Sequence, residues 1–173
     1  MTDLQPVAVS IDGKSLARAI RDLGATHILC VPDTNLRTAI AHLQADYGDR
    51  FILTCTEDEA VGVNAGLHMT GWRPAMVIQN NGLFAMVNTL KAISLDAQVP
   101  TFLVIGQYGR DPALPVEQNR LRSVRLLEPT LATWGVPFAR IDTPQDTARL
   151  RGLWDVAQTT SGPAAAIVGA ATG

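Results

Sequence analysis

The chain has 173 residues, a length typical of one domain. Its 47% hydrophobic and 17% charged residues supply a sizeable core and argue against a disordered chain. The net charge of −2 argues against nucleic-acid binding, and the apolar runs are far shorter than the ~20 residues that span a membrane. We predict one domain over residues 1–173 with a loose N-terminus at 1–8. The first residues lack a signal-peptide pattern, so a cytoplasmic protein is expected.

In chain order, helical and strand-like patterns alternate from residue 15 onward. Apolar residues at helical spacing predict helices over 15–23, 36–43, 56–69 and 83–93, and helical character returns over 121–134. Pro129 inside that last stretch predicts a kink or break. Thr143 and Pro144 are a typical cap and first residue of a further helix. Short apolar runs predict strands over 26–31, 51–55, 74–78, 100–105, 138–141 and 164–168.

Continuously apolar strands that alternate with helices indicate a parallel sheet covered on both faces. The predicted fold is a three-layer α/β/α domain with a six-stranded, mostly parallel sheet. The two cysteines, Cys30 and Cys55, each lie in a predicted strand, where we expect buried, reduced thiols and neither a disulfide nor a metal site.

Two polar loops follow neighbouring predicted strands, at the sheet edge where α/β proteins bind ligands. The first, residues 55–62, carries Glu57, Asp58 and Glu59. Thr56 and Glu59 have the spacing of a capping box, and acidic residues favour the first turn of a helix, so a structural role accounts for all three acids. The second loop is Gln79-Asn80-Asn81-Gly82, for which a structural turn is the ordinary interpretation.

The helix after the acidic loop contains Gly62 and Gly66, one turn apart. Each glycine costs the helix about 1 kcal/mol relative to alanine. A helix that keeps both glycines usually needs the close approach of another helix or of a ligand. The helix after the second loop is almost wholly apolar, so we expect both helices to pack on something beyond this domain.

These motifs together resemble the pyrimidine-binding domain of thiamine diphosphate-dependent 2-oxo acid decarboxylases. The likeness is greatest to the sulfopyruvate and phosphonopyruvate decarboxylases. The matching stretches are Thr56-Glu57-Asp58-Glu59-Ala60-Val61-Gly62, Ala65-Gly66, Gln79-Asn80-Asn81-Gly82-Leu83 with Asn88 and Leu90, and Val31-Pro32-Asp33-Thr34-Asn35-Leu36. The resemblance extends over roughly residues 11–141.

The resemblance implies a catalytic glutamate just after the second strand, and its alignment places this residue at Glu57. Asp58 and Glu59 are close alternatives, one or two residues away. The carboxylate would share a proton with the pyrimidine ring of the cofactor and thereby activate it. Implied cofactor-binding residues are Glu57, Pro32, Asp33, Gln79, Asn80, Asn81 and Gly82, and implied substrate-binding residues are Asn81, Arg110 and Arg120.

The sequence also departs from the family pattern. The subfamily typically has Gly-Leu-Gly-Asn where this chain has Gly82-Leu83-Phe84-Ala85. The loop at 115–120 also lacks an expected histidine. His27, His42 and His68 do not replace it by position. The identity of the 2-oxo acid therefore stays open.

The chain contains no Gly-Asp-Gly motif, which in this family marks the domain that holds the cofactor diphosphate through Mg²⁺. The resemblance therefore implies a partner (beta) subunit that carries this motif and the magnesium, with the cofactor shared between the chains. Decarboxylation and carboligation are both compatible with the residues. A non-catalytic interaction or regulatory module that retains the fold is the alternative, and a flavodoxin-like binding domain is a weaker one, since no glycine-rich phosphate loop follows the first strand.

Overall fold

The computed structural model describes residues 7–173, which form one twisted sheet between two layers of helices. Within these residues, the strands are β1 (Ile28–Cys30), β2 (Phe51–Leu53), β3 (Ala75–Gln79), β4 (Thr101–Gly106), β5 (Phe138–Ile141) and β6 (Pro163–Val168). They lie in the order β2-β1-β3-β4-β6-β5, and every pair is parallel. The predicted six-stranded parallel sheet is thus confirmed.

The connecting helices are α1 (Gly13–Arg21), α2 (Arg37–Tyr47), α3 (Glu57–Met69), α4 (Asn80–Ala85), α5 (Val87–Thr89), α6 (Arg122–Arg125), α7 (Leu127–Thr133) and α8 (Arg149–Thr160). A π-helical segment (Leu90–Asp96) continues from α5, and 3₁₀ turns occupy Gly48–Arg50, Val116–Gln118 and Pro144–Ala148. None of the helices in residues 7–173 combines the length and apolarity needed to cross a bilayer.

Alternate residues of each central strand enter opposite cores, as the pleat of a strand requires. Val77 and Val104, for example, pack in one core with the apolar faces of α1, α2 and α8. Ile78 and Ile105 pack in the other with α3, α4, α7 and the π-helical segment. Because both faces of β3, β4 and β6 are covered, these strands are apolar apart from Gln79 and Thr101 at their ends. This is the pattern from which the parallel sheet was predicted.

Helix boundaries near two loops differ from the predicted ones. The helix predicted over 83–93 begins at Asn80 and is divided into α4, α5 and the π-helical segment. The break predicted from Pro129 is present but lies three residues earlier, at Leu126, and Pro129 itself is the third residue of α7. Proline is tolerated there, since the first-turn N–H groups of a helix have no intrahelical acceptor.

The predicted burial of both cysteines is correct for one of them. Cys30 is buried in β1, and burial raises the pKa of its thiol to about 12. Cys55 is exposed, because β2 ends at Leu53 and Cys55 lies in the bend before α3. At the N-terminus, residues 1–6 of the predicted loose end lie outside the described part of the chain. Ala8 is buried, and the Val9 N–H donates to the Asp142 carbonyl at 2.8 Å.

Candidate active site

The two polar loops of the sequence lie together at the carboxyl edge of the sheet. Parallel strands end at one edge, and β2, β1 and β3 are neighbours in the sheet. Asp33 follows β1, Glu57 opens α3 after β2, and Gln79 ends β3. Residues that are 22 to 46 positions apart in the chain therefore share one cleft edge.

The cap of α3 separates the roles of its three acidic residues. The Thr56 hydroxyl accepts a hydrogen bond from the Glu59 N–H at 3.3 Å, and the Glu59 carboxylate accepts one from the Cys55 N–H at 2.6 Å. The arrangement is a capping box in which the glutamate bonds the residue before the cap instead of the cap itself. Glu59 is thus engaged in capping the N-terminus of α3, and Asp58 is exposed to solvent.

Glu57 is half-buried and points across the cleft edge to the start of α4. Its carboxyl group lies against the Cα of Gly82: a Cβ added to Gly82 would be 2.0 Å from Glu57 Oε1 and 2.3 Å from Cδ. Among residues 7–173, no hydrogen bond or ion pair engages this carboxylate. Its oxygens are therefore available to a ligand, and Gly82 provides the space in which they lie.

The loop at the start of α4 fixes three amide side chains. Asn80 is fully buried, and its Nδ2 donates to the Tyr108 carbonyl at 3.1 Å, which ties the loop to the segment after β4. The Asn80 Oδ1 accepts from the Asn81 N–H at 3.0 Å. Asn81 is exposed, and its Nδ2 donates to Gln79 Oε1 at 2.8 Å. Of the three amides, that of Asn81 is presented to solvent.

Asp33 is almost completely buried beneath this loop, with 3% of its surface exposed. Its Oδ1 accepts from the Asn35 N–H at 2.9 Å and from Gln79 Nε2 at 3.2 Å. Burial raises the pKa of the Asp33 carboxyl, and the hydrogen bonds from Asn35 and Gln79 oppose that rise. The Oδ2 atom has no hydrogen-bond partner and lies against Gly106, where an added Cβ would be 1.7 Å away.

The exposed residue Pro32 stands at the mouth of a depression of about 250 Å³ beside β1. Asp33, Thr34, Arg37 and Ile40 line the rest of it. This depression joins the predicted cofactor-binding residues Pro32 and Asp33 to a cation, Arg37, that was not predicted from the sequence.

The two arginines predicted to bind substrate have different surroundings. Arg120 is exposed. The Arg110 side chain is only 2% exposed, its Nη1 donates to Gln107 Oε1 at 3.1 Å, and its Nη2 lies 3.8 Å from Asp142 Oδ2. Burial and the nearby Arg140 lower the pKa of the Arg110 guanidinium. In this conformation Arg110 serves the buried ion cluster and presents no cation to the cleft.

That ion cluster was not predicted from the sequence, because Arg110 and Glu128 lie 32 and 14 positions before Asp142 in the chain. Asp142 contacts Arg140 at 2.8 Å as well as Arg110, and Arg140 lies 3.7 Å from Glu128. Burial raises the pKa of Glu128, and the two arginines oppose this. Gly169 leaves room for this cluster, since an added Cβ there would be 2.0 Å from Asp142 Oδ1. This role of the glycine can be recognised only once β5 and β6 are known to be neighbours.

The arrangement fits the aminopyrimidine half of thiamine diphosphate. A half-buried carboxylate without a partner can exchange a proton with a ring nitrogen, and an exposed amide group can bond an exocyclic amine. Glu57 would supply the first, and Asn81 would supply the second. The glycine at position 82 leaves room for both the carboxylate and a ligand beside it.

Comparison with known proteins finds relatives that are named as decarboxylases. The chain is 28% identical over 148 residues to the sulfopyruvate decarboxylase subunit alpha of Methanothermobacter thermautotrophicus, covering 82% of this chain and 86% of the relative. The corresponding protein of Methanocaldococcus jannaschii is 26% identical over 79% of each chain. The phosphonopyruvate decarboxylase of Streptomyces viridochromogenes is 29% identical over 64% of this chain and 28% of its own length.

Among solved structures, a 2-oxoglutarate:ferredoxin oxidoreductase from Magnetococcus marinus shares the fold. The TM-score is 0.69 at 16% sequence identity, over 93% of this chain and 29% of that one. Residues 13–121 match the family described as the thiamine pyrophosphate enzyme, N-terminal TPP binding domain. The match covers more than half of the sequence, in agreement with the resemblance of its motifs. The chain therefore belongs to the family of thiamine pyrophosphate enzyme N-terminal, TPP-binding domains.

Proposed function

We propose that this chain is the pyrimidine-binding (alpha) subunit of a two-chain, thiamine diphosphate-dependent decarboxylase of 2-oxo acids. The observation that carries the proposal is the carboxylate of Glu57, half-buried against Gly82 at the carboxyl end of β2 and free of protein partners among residues 7–173. Two of its relatives are named sulfopyruvate decarboxylase subunit alpha, and a third is named phosphonopyruvate decarboxylase.

Thiamine diphosphate, when bound, supplies the carbon nucleophile and the electron sink that decarboxylation of a 2-oxo acid needs. The chain's own contribution is acid–base chemistry at the pyrimidine ring. The Glu57 carboxylate would exchange a proton with a nitrogen of that ring. Asp58 and Glu59 are less suited to this role, because the first is exposed and the second bonds the Cys55 N–H.

The remaining polar residues position the cofactor and the substrate. Gln79, Asn80, Asn81 and Gly82 would line the pyrimidine pocket, and Pro32 and Asp33 would close it from the β1 side. The exposed side chains of Asn81 and Arg120 would meet the substrate carboxylate or its second acidic group. Arg110 would join them only if its guanidinium turned away from Asp142, so we assign it a secondary part.

A partner subunit completes the site in this proposal. It would carry the Gly-Asp-Gly motif and the Mg²⁺ that holds the diphosphate, since the present chain lacks that motif. The exposed glycines of α3 support the existence of a packing surface, because an added Cβ at Gly62 or Gly66 meets no atom within 4 Å. The assembly would operate in the cytoplasm as a hetero-oligomer.

The proposal is tested by reconstitution. The chain and the product of a neighbouring gene that encodes a Gly-Asp-Gly domain are purified separately and together, and thiamine diphosphate binding is measured by calorimetry in the presence of Mg²⁺. We expect binding and decarboxylation of sulfopyruvate or phosphonopyruvate by the mixture only. A mixture that binds the cofactor yet turns over neither acid would point to carboligation or another 2-oxo acid, and a mixture that binds none would support the non-catalytic alternative.

A further inference from the structure

The exposed amide of Asn81 is connected to the buried carboxyl of Asp33 by two consecutive hydrogen bonds. Asn81 Nδ2 donates to Gln79 Oε1 at 2.8 Å, and Gln79 Nε2 donates to Asp33 Oδ1 at 3.2 Å. The chain runs from solvent, through a half-buried side chain, to an atom inside the protein. Its three members come from two different strand ends, β1 and β3.

The direction of these bonds is fixed by chemistry at the buried end. Gln79 can be placed with either its oxygen or its nitrogen toward Asp33. The Asp33 Oδ1 already accepts the Asn35 N–H, so it acts as an acceptor and selects the nitrogen of Gln79. The oxygen of Gln79 must then face Asn81, and it selects the nitrogen of that residue in turn.

One consequence is that the amide of Asn81 has a defined orientation. One N–H is used by Gln79, and the Oδ1 atom together with the second N–H is left for a ligand. Without Asp33, Gln79 could rotate or flip, and Asn81 would present donor and acceptor in either order. An amide held in one orientation loses less entropy when a ligand binds than a freely rotating one.

Gly106 makes the buried end possible. The Asp33 carboxyl lies directly on the Cα of this last residue of β4, and any side chain there would displace it, since an added Cβ would be 1.7 Å from Oδ2 and 3.0 Å from Leu36 Cγ. Asp33 itself has 3% of its surface exposed, so it is covered by protein and not directed at solvent.

We propose that Asp33 is a positioning residue, which orients Asn81 toward the substrate through Gln79 and does not itself touch the ligand. This inference rests on the proposed function, because it assigns the substrate contact to Asn81. It refines the expectation that Asp33 contacts the cofactor.

The first test needs neither cofactor nor partner. In the full chain, the side-chain NH₂ groups of Gln79 and Asn81 are observed by ¹⁵N NMR, and their hydrogen exchange is compared in Asp33→Ala, Asp33→Asn and Gly106→Ala. We expect Asp33→Ala and Gly106→Ala to accelerate exchange at the Asn81 NH₂ by about tenfold, as the loss of one hydrogen bond implies, while Asp33→Asn, which keeps an Oδ1 acceptor, restores protection. Unchanged exchange in all three variants would overturn the inference.

The second test uses the reconstituted complex. Asp33→Ala should raise the KM of the 2-oxo acid by about tenfold, and Asp33→Asn should restore the KM. Asn81→Ala combined with Asp33→Ala should raise the KM no further than Asn81→Ala alone. Effects that multiply in the double variant, or a KM that Asp33→Ala leaves unchanged, would contradict the positioning role.

Ser94→Ala is the matched control for lost stability. Its buried hydroxyl bonds Thr101 Oγ1 at 2.7 Å near the start of β4, at the opposite edge of the sheet. We expect it to lower the unfolding midpoint without changing the KM, and an equal KM rise in this control would reduce Asp33 to a structural role. A wild-type complex without turnover would count against the proposed function, whereas the exchange experiment decides the inference independently.

Discussion

At the residue scale, the contact between Glu57 and Gly82 links the two polar loops. Gly82→Ala would place a methyl group 2.0 Å from the Glu57 oxygen, and the glutamate can move aside because it is the end of a flexible side chain. We expect the variant to fold with a free energy of unfolding within about 1 kcal/mol of the wild type. Decarboxylation in the complex should fall by about 10²–10⁴-fold, as for loss of a general acid–base group.

The control for this prediction is Gly152→Ala in α8. An alanine there meets no atom within 4 Å, so the unfolding midpoint should stay the same or rise and activity should be retained. Full activity in Gly82→Ala would show that the position of the Glu57 carboxylate is not critical.

A second prediction concerns Asp33 and the pH dependence of the stability of the fold. Because burial raises the pKa of its carboxyl above the unfolded value near 3.8, the native state binds its proton more tightly than the unfolded state. Stability contributed by the protonated form is therefore present below the unfolded pKa and is lost as pH rises through the folded pKa. Asp33→Asn has no carboxyl that loses a proton. The urea midpoint of this variant minus that of the wild type should therefore increase as the pH rises above 4, and then level off. A difference that is constant from pH 3 to pH 8 would contradict a raised pKa of the Asp33 carboxyl.

Part of this site could be predicted from the sequence, and the rest could not, because it depends on contacts made only in the folded chain. Motif spacing and resemblance favoured Glu57 among three acidic residues. The roles of the three are distinguished by contacts in the structure, in which Glu59 bonds the Cys55 N–H and Gly82 lies beside Glu57. Arg110 was predicted at the substrate, yet its partner Asp142 lies 32 positions away, directly after β5. Contacts across strands depend on sheet order, which a single sequence does not specify.

At the element scale, α3 has two glycines that no contact within residues 7–173 explains. Gly62→Ala and Gly66→Ala should each stabilise the full chain alone by about 0.5–1 kcal/mol, because helix propensity improves and the added Cβ meets open space. In the proposed complex, the same substitutions should weaken subunit binding, as measured by calorimetric titration with the partner. Gly152→Ala, on an exposed part of α8, should stabilise comparably without changing that affinity.

At the crossing of α1 and α2, by contrast, replacement of a glycine by alanine should destabilise the chain. Gly13 opens α1, where an added Cβ would lie 2.3 Å from Thr38 Oγ1 and 2.7 Å from the Ala39 nitrogen. The backbone of α2 cannot move aside as a side chain can, so Gly13→Ala should cost about 1–3 kcal/mol of unfolding free energy in urea titrations. A neutral effect would mean that the two helices shift apart easily.

Helix existence was easier to predict than helix ends. Apolar spacing found α1, α2 and α3, but it placed the start of α1 at residue 15, because Asp12 and Gly13 carry no periodic signal. The Asp12 side chain accepts from the Ser15 N–H and begins the helix two residues earlier. The division of this region into α4, α5 and the π-helical segment could not be predicted from a run that is mostly apolar.

At the scale of the whole molecule, the chain presents one edge of a cofactor site and depends on a second subunit in our proposal. The parallel sheet brings Asp33, Glu57 and Gln79 to one edge although no two are adjacent in sequence. The family match over residues 13–121 covers the elements that supply these side chains. The C-terminal part, with β5, α8 and β6, contributes the buried Asp142 cluster and one end of the sheet.

The most direct test of the account is the rate of deuterium exchange at the thiazolium C2 of thiamine diphosphate bound to the reconstituted complex. It is compared in the amide variants Glu57→Gln, Asp58→Asn and Glu59→Gln, after calorimetry has established that each binds the cofactor. We predict that Glu57→Gln slows exchange by about 10²–10⁴-fold and that the other two leave it within about tenfold of wild type. Wild-type exchange in Glu57→Gln would contradict the central claim.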